Sequence, residues 1–312
     1  MACIVVAIPC FNEVMTIAKV ISDFKRELPE ARIIVLDNNS SDNSAGLARR
    51  NGAEVFCVRE QGKGSVVRYL FREIEANFFV LVDGDDTYPA EAVHDMLLPI
   101  IRHEADMVVG DRLSNGTYKE ENKRGFHNLG NNLVRWLVNI CFNSTLSDIM
   151  SGYRVFSKRF VLNVPILSNG FEVETEMTIS CLDRKLAIKE IPIKYRDRPV
   201  GSYSKLNTFS DGFRVIKTIV AILRDYRPFL FFGILALMAL LMGMLCGVPV
   251  IAEFAKIRYV SHVPLAILST GLVIVAGLLL SCGLVLNTLV MHEHQRNELL
   301  VINNKDGRGH CD

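Results

Sequence analysis

Apolar and polar positions change rhythm along the first third of the chain. Residues 3–8 form an unbroken apolar run that stops at Pro9, which predicts a buried first strand rather than a secretory leader. Residues 14–28 then carry apolar side chains at helical spacing. A second β-rich run covers 32–36, a helix 42–51, a third strand 55–58 and a helix 64–75. Residues 78–82 (Phe-Phe-Val-Leu-Val) form a fourth, wholly apolar strand. Strands and helices alternating in this way predict an α/β domain, Rossmann-like, with a mostly parallel sheet covered on both faces. Polar loops follow the carboxyl ends of the strands, where open sheets of this kind bind ligands.

The end of the chain has a different pattern. Residues 229–250 and 263–291 contain no charged side chain, and a hydrocarbon core ~30 Å thick needs roughly 20 apolar residues as helix. Two such runs side by side predict a two-helix transmembrane anchor. Arg214, Lys217, Arg224 and Arg227 precede the first run, and His292, His294, Arg296, Lys305 and Arg308 follow the second. The excess of basic residues on both long flanks predicts an integral membrane protein with the α/β domain and both termini in the cytoplasm. Phe209, Phe213, Ile216, Ile219, Val220 and Leu223 recur at helical spacing. They suit a helix lying on the membrane surface, or equally one packed on the domain. The expected division is a catalytic α/β domain at 1–206, an amphipathic interfacial helix at 207–227, the anchor at 228–291 and a tail at 292–312, disordered after Val301.

Composition narrows the function. Lys plus Arg number 35 and Asp plus Glu 34, so no basic excess points to nucleic acid. The eight cysteines are scattered without metal-binding spacing and read as reduced.

Four loops carry chemistry. The turn Asp83-Gly84-Asp85-Asp86-Thr87-Tyr88-Pro89 directly follows the apolar strand 78–82. Carboxylates at i and i+2 of a turn can converge on one hard cation, Mg²⁺ or Mn²⁺, which bridges phosphate oxygens. Ile8-Pro9-Cys10-Phe11-Asn12-Glu13 ends the first strand, and Asp37-Asn38-Asn39-Ser40-Ser41-Asp42 ends the second. Short polar side chains there suit ribose hydroxyls and a base edge, and suit ordinary turn chemistry as well. Gln61-Gly62-Lys63-Gly64 precedes a helix, where glycines admit a close ligand and a lysine beside a helix N-terminus suits phosphate.

These four elements, in this order, resemble family-2 glycosyltransferases of the GT-A fold. More narrowly they resemble the polyprenyl-phosphate glycosyltransferases, the group of dolichyl-phosphate mannose synthases and GtrB-like bacterial enzymes. The resemblance runs from Ile4 to about Met291. It implies that Pro9, Asn12, Glu13, Asp37, Lys63 and Asp83 bind the nucleotide-sugar, with Asp83 and Asp85 holding the metal. Thr87 stands where the family often has Gln. In the second half, Gly110-Asp111-Arg112, Arg124 before Asn128-Leu129-Gly130-Asn131, Asp148 to Arg154, the carboxylate of Glu176, and Arg198 with Gly201-Ser202-Tyr203-Ser204-Lys205-Leu206 resemble the acceptor half. One extra residue separates Gly201 from Ser204.

The resemblance assigns Arg112, Arg124, Arg198, Ser204 and Lys205 to the acceptor phosphate, and catalytic roles to Asp85, Arg112 and Glu176. It implies an inverting, metal-dependent transfer of one sugar from a nucleotide-sugar, with UDP-glucose or UDP-N-acetylglucosamine favoured, to undecaprenyl or dolichyl phosphate. A homo-oligomer is expected. A GDP-mannose user and a non-catalytic lipid-phosphate-binding subunit are the alternatives. A processive polysaccharide synthase is disfavoured: Asn132-Leu133-Val134-Arg135-Trp136 lacks the Gln of its motif, and two spans are too few for a channel. A nucleotidyltransferase would have no need of the anchor.

Overall fold

The computed structural model describes residues 3–114, 125–170, 172–196 and 220–306. The chain forms two compact units, Met1–Val215 and Ile216–Asp312.

In the first unit, strands β1 (Ile4–Cys10), β2 (Arg32–Asp37), β3 (Glu54–Cys57) and β4 (Phe78–Leu81) alternate with helices α1 (Ile17–Glu27), α2 (Ser44–Arg50) and α3 (Lys63–Glu73). Helix α4 (Val93–Ile101), β5 (Met107–Asp111), α5 (Gly125–Phe142), β6 (Arg154–Ser157), α6 (Lys158–Asn163), α7 (Val173–Asp183) and β7 (Ile188–Pro192) follow. They build one seven-stranded sheet in the order β3-β2-β1-β4-β6-β5-β7. Every pairing is parallel except the two made by β6, which runs against β4 and β5.

The central strands are apolar throughout because both faces are covered. Alternate residues Val6, Ile8, Ile33, Val35, Val80 and Val155 pack on one face with Ile17, Ile21 and Phe24 of α1 and Met96 and Ile100 of α4. Val5, Ala7, Ile34, Leu36, Phe79, Leu81 and Phe156 pack on the other with Val67 and Leu70 of α3 and Val173, Met177 and Cys181 of α7. The reversed β6 matters for the site. Arg154, its first residue, pairs with Leu81 and Val109 near the carboxyl ends of β4 and β5. The loop entering β6 therefore stands at the same sheet edge as the loops leaving β1, β2 and β4.

In the second unit, residues 220–226 are helical, and α8 (Pro228–Ile257) and α9 (Val263–Asp306) follow. Both are long and apolar enough to cross a membrane, and only 11% and 6% of their most apolar windows are buried. A core helix of a soluble protein is mostly buried, so these are not core helices. Small residues let the pair approach: Ser269 Oγ donates to the Gly243 carbonyl at 2.8 Å. Residues 207–219 of the expected interfacial helix lie outside the described residues. The tail corrects one expectation. Helix α9 continues past Met291 to Asp306 instead of giving way to disorder after Val301. Leu, Glu, Gln and Arg in this stretch favour helix, and Arg296 pairs with Glu293 one turn back at 3.0 Å.

Candidate active site

The loops at the carboxyl edge are tied to one another before any ligand is considered. Asn12 takes a left-handed backbone (φ 55), which Asn tolerates better than most residues. Its Oδ1 accepts from the amides of Ser41 and Asp42 at 2.7 and 3.3 Å, and its own amide donates to Ser40 Oγ. The Glu13 amide donates to Ser44 Oγ at 2.9 Å. The first two loops thus form one rigid ledge above β1 and β2. Pro9, in β1, backs the Asp83–Pro89 turn: a side chain at Gly84 would meet its carbonyl at 3.3 Å.

Asn38 is a residue that sequence reasoning passed over in favour of its neighbour Asp37. It is buried, and its amide group donates to the Val58 and Glu60 carbonyls at 3.0 and 2.8 Å. Its Oδ1 accepts from the Gly62 amide at 2.7 Å. It hangs the loop before α3 from the end of β2. Asp37 beside it is 6% exposed, and its Oδ1 meets no hydrogen-bonding group among the described residues. A buried carboxylate oxygen left in that state costs free energy unless a ligand satisfies it.

The acidic turn after β4 has three carboxylates with three environments. Asp86, at φ 60, turns away to Lys19 at 2.6 Å. Asp85 is 5% exposed, and its Oδ1 accepts from Thr87 Oγ1 at 2.6 Å. Asp83 is more open and receives the Lys63 ammonium. Lys63 Nζ also lies 2.7 Å from Glu174 Oε1. Burial alone would lower the Lys63 pKa, but Asp83 and Glu174 outweigh it and hold the ammonium above its ordinary value. Glu174 is 6% exposed and its Oε2, like Asp37 Oδ1, is without a hydrogen-bond partner among the described residues.

Glu174, not Glu176, is therefore the carboxylate of α7 that reaches this cluster. The Glu176 carboxylate accepts from the Leu167 and Ser168 amides at 2.8 and 3.0 Å and from Ser168 Oγ at 2.5 Å. Residues two apart on a helix point about 200° away from each other, so only one of the two can face Lys63. Val173 and Met177, packed in the core, fix which one does. Glu176 holds the loop before α7 from one side. Arg68 holds it from the other, donating to the carbonyls of Ile166, Leu167 and Ser168. Glu176→Ala is expected to lower stability by about 2 kcal/mol through loss of these charge-assisted bonds, measured by urea unfolding.

The same loop explains the glycines around Lys63. A side chain at Gly62 would run into the Asn169 carbonyl, and one at Gly64 into the Ser168 carbonyl. The close approach they permit is to protein backbone, where the sequence suggested a ligand.

The second half of the domain joins the cluster through Tyr88. Arg112 grips Asp148 with two parallel bonds, Nε to Oδ2 at 2.7 Å and Nη2 to Oδ1 at 2.9 Å. Its Nη1 stands 3.5 Å from Tyr88 Oη, and its guanidinium lies 5.7 Å from the Tyr195 ring centre. Tyr88 Oη accepts from the Gly152 amide at 3.0 Å, and burial raises the Tyr88 pKa. A Cβ at Gly152 would collide with the Asp83 carboxylate and stand 2.9 Å from Lys63 Nζ. One continuous path of contacts thus runs Asp148–Arg112–Tyr88–Gly152–Asp83–Lys63–Glu174. Arg124, Arg198, Ser204 and Lys205 lie outside the described residues.

Burial would raise the Asp148 carboxyl pKa, but Arg112 holds it below the ordinary aspartate value of 3.8. A depressed folded-state pKa contributes stability above 3.8 that is lost as pH falls through the folded value. Melting curves from pH 6 to 3 should therefore show an acid limb that flattens in Asp148→Asn.

Residues 5–161 match the family described as Glycosyl transferase family 2. The chain is 31% identical over 291 residues to "Glycosyltransferase AglJ" of Haloferax volcanii, covering 92% of this chain and 93% of that protein. It is 28% identical over 217 residues to the "Dolichyl-phosphate hexose transferase" of the same organism, covering 70% and 92%. Its fold is similar to the crystal structure of glucosyl-3-phosphoglycerate synthase from Mycobacterium tuberculosis in complex with Mn²⁺, UDP-glucose and phosphoglyceric acid. That likeness has a TM-score of 0.55 at 23% identity and covers 71% and 79% of the two chains. With a GT-A-like sheet, an Asp83-x-Asp85 turn at the carboxyl edge of its strands and this relationship over nearly its whole length, the chain belongs to glycosyl transferase family 2.

Proposed function

We propose that the protein moves a single sugar from a nucleotide-sugar onto a polyprenyl phosphate, undecaprenyl or dolichyl, with inversion at the anomeric carbon. The favoured donors are UDP-glucose and UDP-N-acetylglucosamine. The observation that carries this reading is the pair of buried carboxylates, Asp37 and Glu174, each with an oxygen that has no hydrogen-bond partner among the described residues, on the sheet edge that carries the Asp83-x-Asp85 turn. Hydroxyl-rich ligands satisfy such oxygens: ribose or base at Asp37, donor-sugar hydroxyls at Glu174. The name of the dolichyl-phosphate hexose transferase and the two apolar helices support a lipid acceptor.

The donor set of the turn fits a hard divalent ion. Both ligands are carboxylates, and the Thr87 hydroxyl orients one of them. No group of three or more His, Cys, Asp or Glu residues stands together among the described residues, so the diphosphate itself would complete the shell. Mg²⁺ or Mn²⁺ on Asp83 and Asp85 would supply charge neutralisation for a leaving nucleoside diphosphate. The protein's own part is positioning. Asn12 and Asn38 hold the nucleotide ledges. Asp148 holds Arg112 rigid, and Arg112, together with Arg124, Arg198, Ser204 and Lys205, meets the acceptor phosphate with fork-shaped and point-charge donors. A phosphate monoester is mostly doubly ionised near pH 7, its second pKa being about 6. It attacks without a general base, and the remaining catalysis is alignment and electrostatics.

The outward face of α5 suits work at a bilayer. Leu133, Trp136 and Ile140, at helical spacing, are all exposed, and Trp favours the interface. The active domain and both termini lie in the cytoplasm on this reading.

A donor screen tests it. Purified protein in detergent receives polyprenyl phosphate, Mg²⁺ or Mn²⁺, and radiolabelled UDP-glucose, UDP-N-acetylglucosamine or GDP-mannose in turn. Label entering the lipid from a UDP-sugar supports the proposal. Label from GDP-mannose alone moves the assignment to a mannose synthase. No transfer from any donor, with UDP still bound, favours a non-catalytic subunit. In the same assay Gly152→Ala should lower transfer about 10²-fold, because displacing Asp83 by a fraction of an ångström misaligns the donor.

A further inference from the structure

Lys63 is a positive charge sealed inside the metal end of the site. Its side chain is 9% exposed and touches two carboxylates, Asp83 Oδ1 and Glu174 Oε1. Gly152 closes a further side, since even a methyl group there would stand 2.9 Å from Nζ. The Lys63 ammonium therefore occupies the Asp83 carboxylate that the metal assignment also needs. Two cations on one carboxylate repel each other, and the repulsion is strongest in a pocket shielded from water.

We propose that Lys63 is an internal counter-ion that competes with the divalent cation for Asp83, so that the cation binds tightly only together with the nucleoside diphosphate. The inference rests on the donor and metal reading above and adds an order to it. Glu174 makes the exchange feasible. When Lys63 releases Asp83, its 2.7 Å contact with Glu174 keeps the ammonium paired, so no buried charge is left bare. The incoming diphosphate brings anionic oxygens that offset Lys63 and complete the cation's shell. The site then stays closed to adventitious cations until a donor arrives.

The test is Mn²⁺ binding to the full-length protein in detergent, read from the electron paramagnetic resonance of free Mn²⁺, with and without UDP. Two variants are compared with the wild type. Lys63→Gln removes the competing charge. The double variant Lys63→Gln/Glu174→Gln removes one charge of each sign, so the net charge of the cluster is unchanged and no buried carboxylate is left facing a missing partner. Both should bind Mn²⁺ alone at least ~10-fold tighter than the wild type, and UDP should tighten Mn²⁺ binding less in them than in the wild type. If Lys63→Gln fails to fold, the double variant decides. Wild-type-like Mn²⁺ affinity in the folded variants, with UDP-dependent binding intact in the wild type, would overturn the counter-ion and leave the metal site standing. Absence of Mn²⁺ binding in every protein, even with UDP, would overturn both.

Discussion

Asp85→Asn is expected to lower sugar transfer on the order of 10³-fold, equivalent to about 4 kcal/mol of transition-state stabilisation, while the protein folds and inserts as before. The substitution keeps the size of the side chain, and its amide oxygen can still accept from Thr87 Oγ1, the 2.6 Å bond that orients the native group. What it removes is one negative charge from the i, i+2 pair. A neutral oxygen holds a hard divalent ion weakly, so the leaving diphosphate loses its counter-charge. Steady-state transfer assays alongside circular dichroism make the comparison. Near-normal turnover in a well-folded Asp85→Asn protein would remove the metal assignment from this turn.

The second large effect belongs to Arg112. Arg112→Ala leaves Asp148 buried without its partner, and breaking a buried pair from one side costs about 3–5 kcal/mol. Transfer should fall to background. The two losses can be separated, because Arg112→Ala/Asp148→Ala removes both charges. The double variant should recover most of the lost stability in denaturant unfolding and none of the lost transfer. Recovery of transfer together with stability would make Arg112 a structural residue and move the acceptor phosphate elsewhere.

The parts of this molecule that the sequence makes legible are those set by local pattern. Strands β1, β2 and β4 stand out because both faces are buried, so the runs are apolar without alternation, and the turn after β4 stands out because charge follows such a run directly. What depends on contacts distant in the chain is not legible locally. Gly62 and Gly64 look like a ligand cradle until the 168–170 backbone, about a hundred residues on, is seen against them. Glu174 and Glu176 are equivalent in sequence, and only the packing of Val173 and Met177 decides which faces Lys63. Asn38 has no local signal at all, since its three bonds reach residues 58–62. The helical extension to Asp306 is hidden by a polar composition that suggests disorder, although its Leu, Glu, Gln and Arg favour helix.

The most direct test of the central claim compares two acceptors that differ by one group. Wild-type protein in detergent is given the labelled donor that works best in the screen, with either polyprenyl phosphate or the unphosphorylated polyprenol, and label in the extracted lipid is counted. The account predicts transfer to polyprenyl phosphate and none to polyprenol, because Arg112 and its fellow cations recognise a phosphate that also serves as the nucleophile. Equal transfer to polyprenol, or label released only as free sugar with both acceptors, would contradict it.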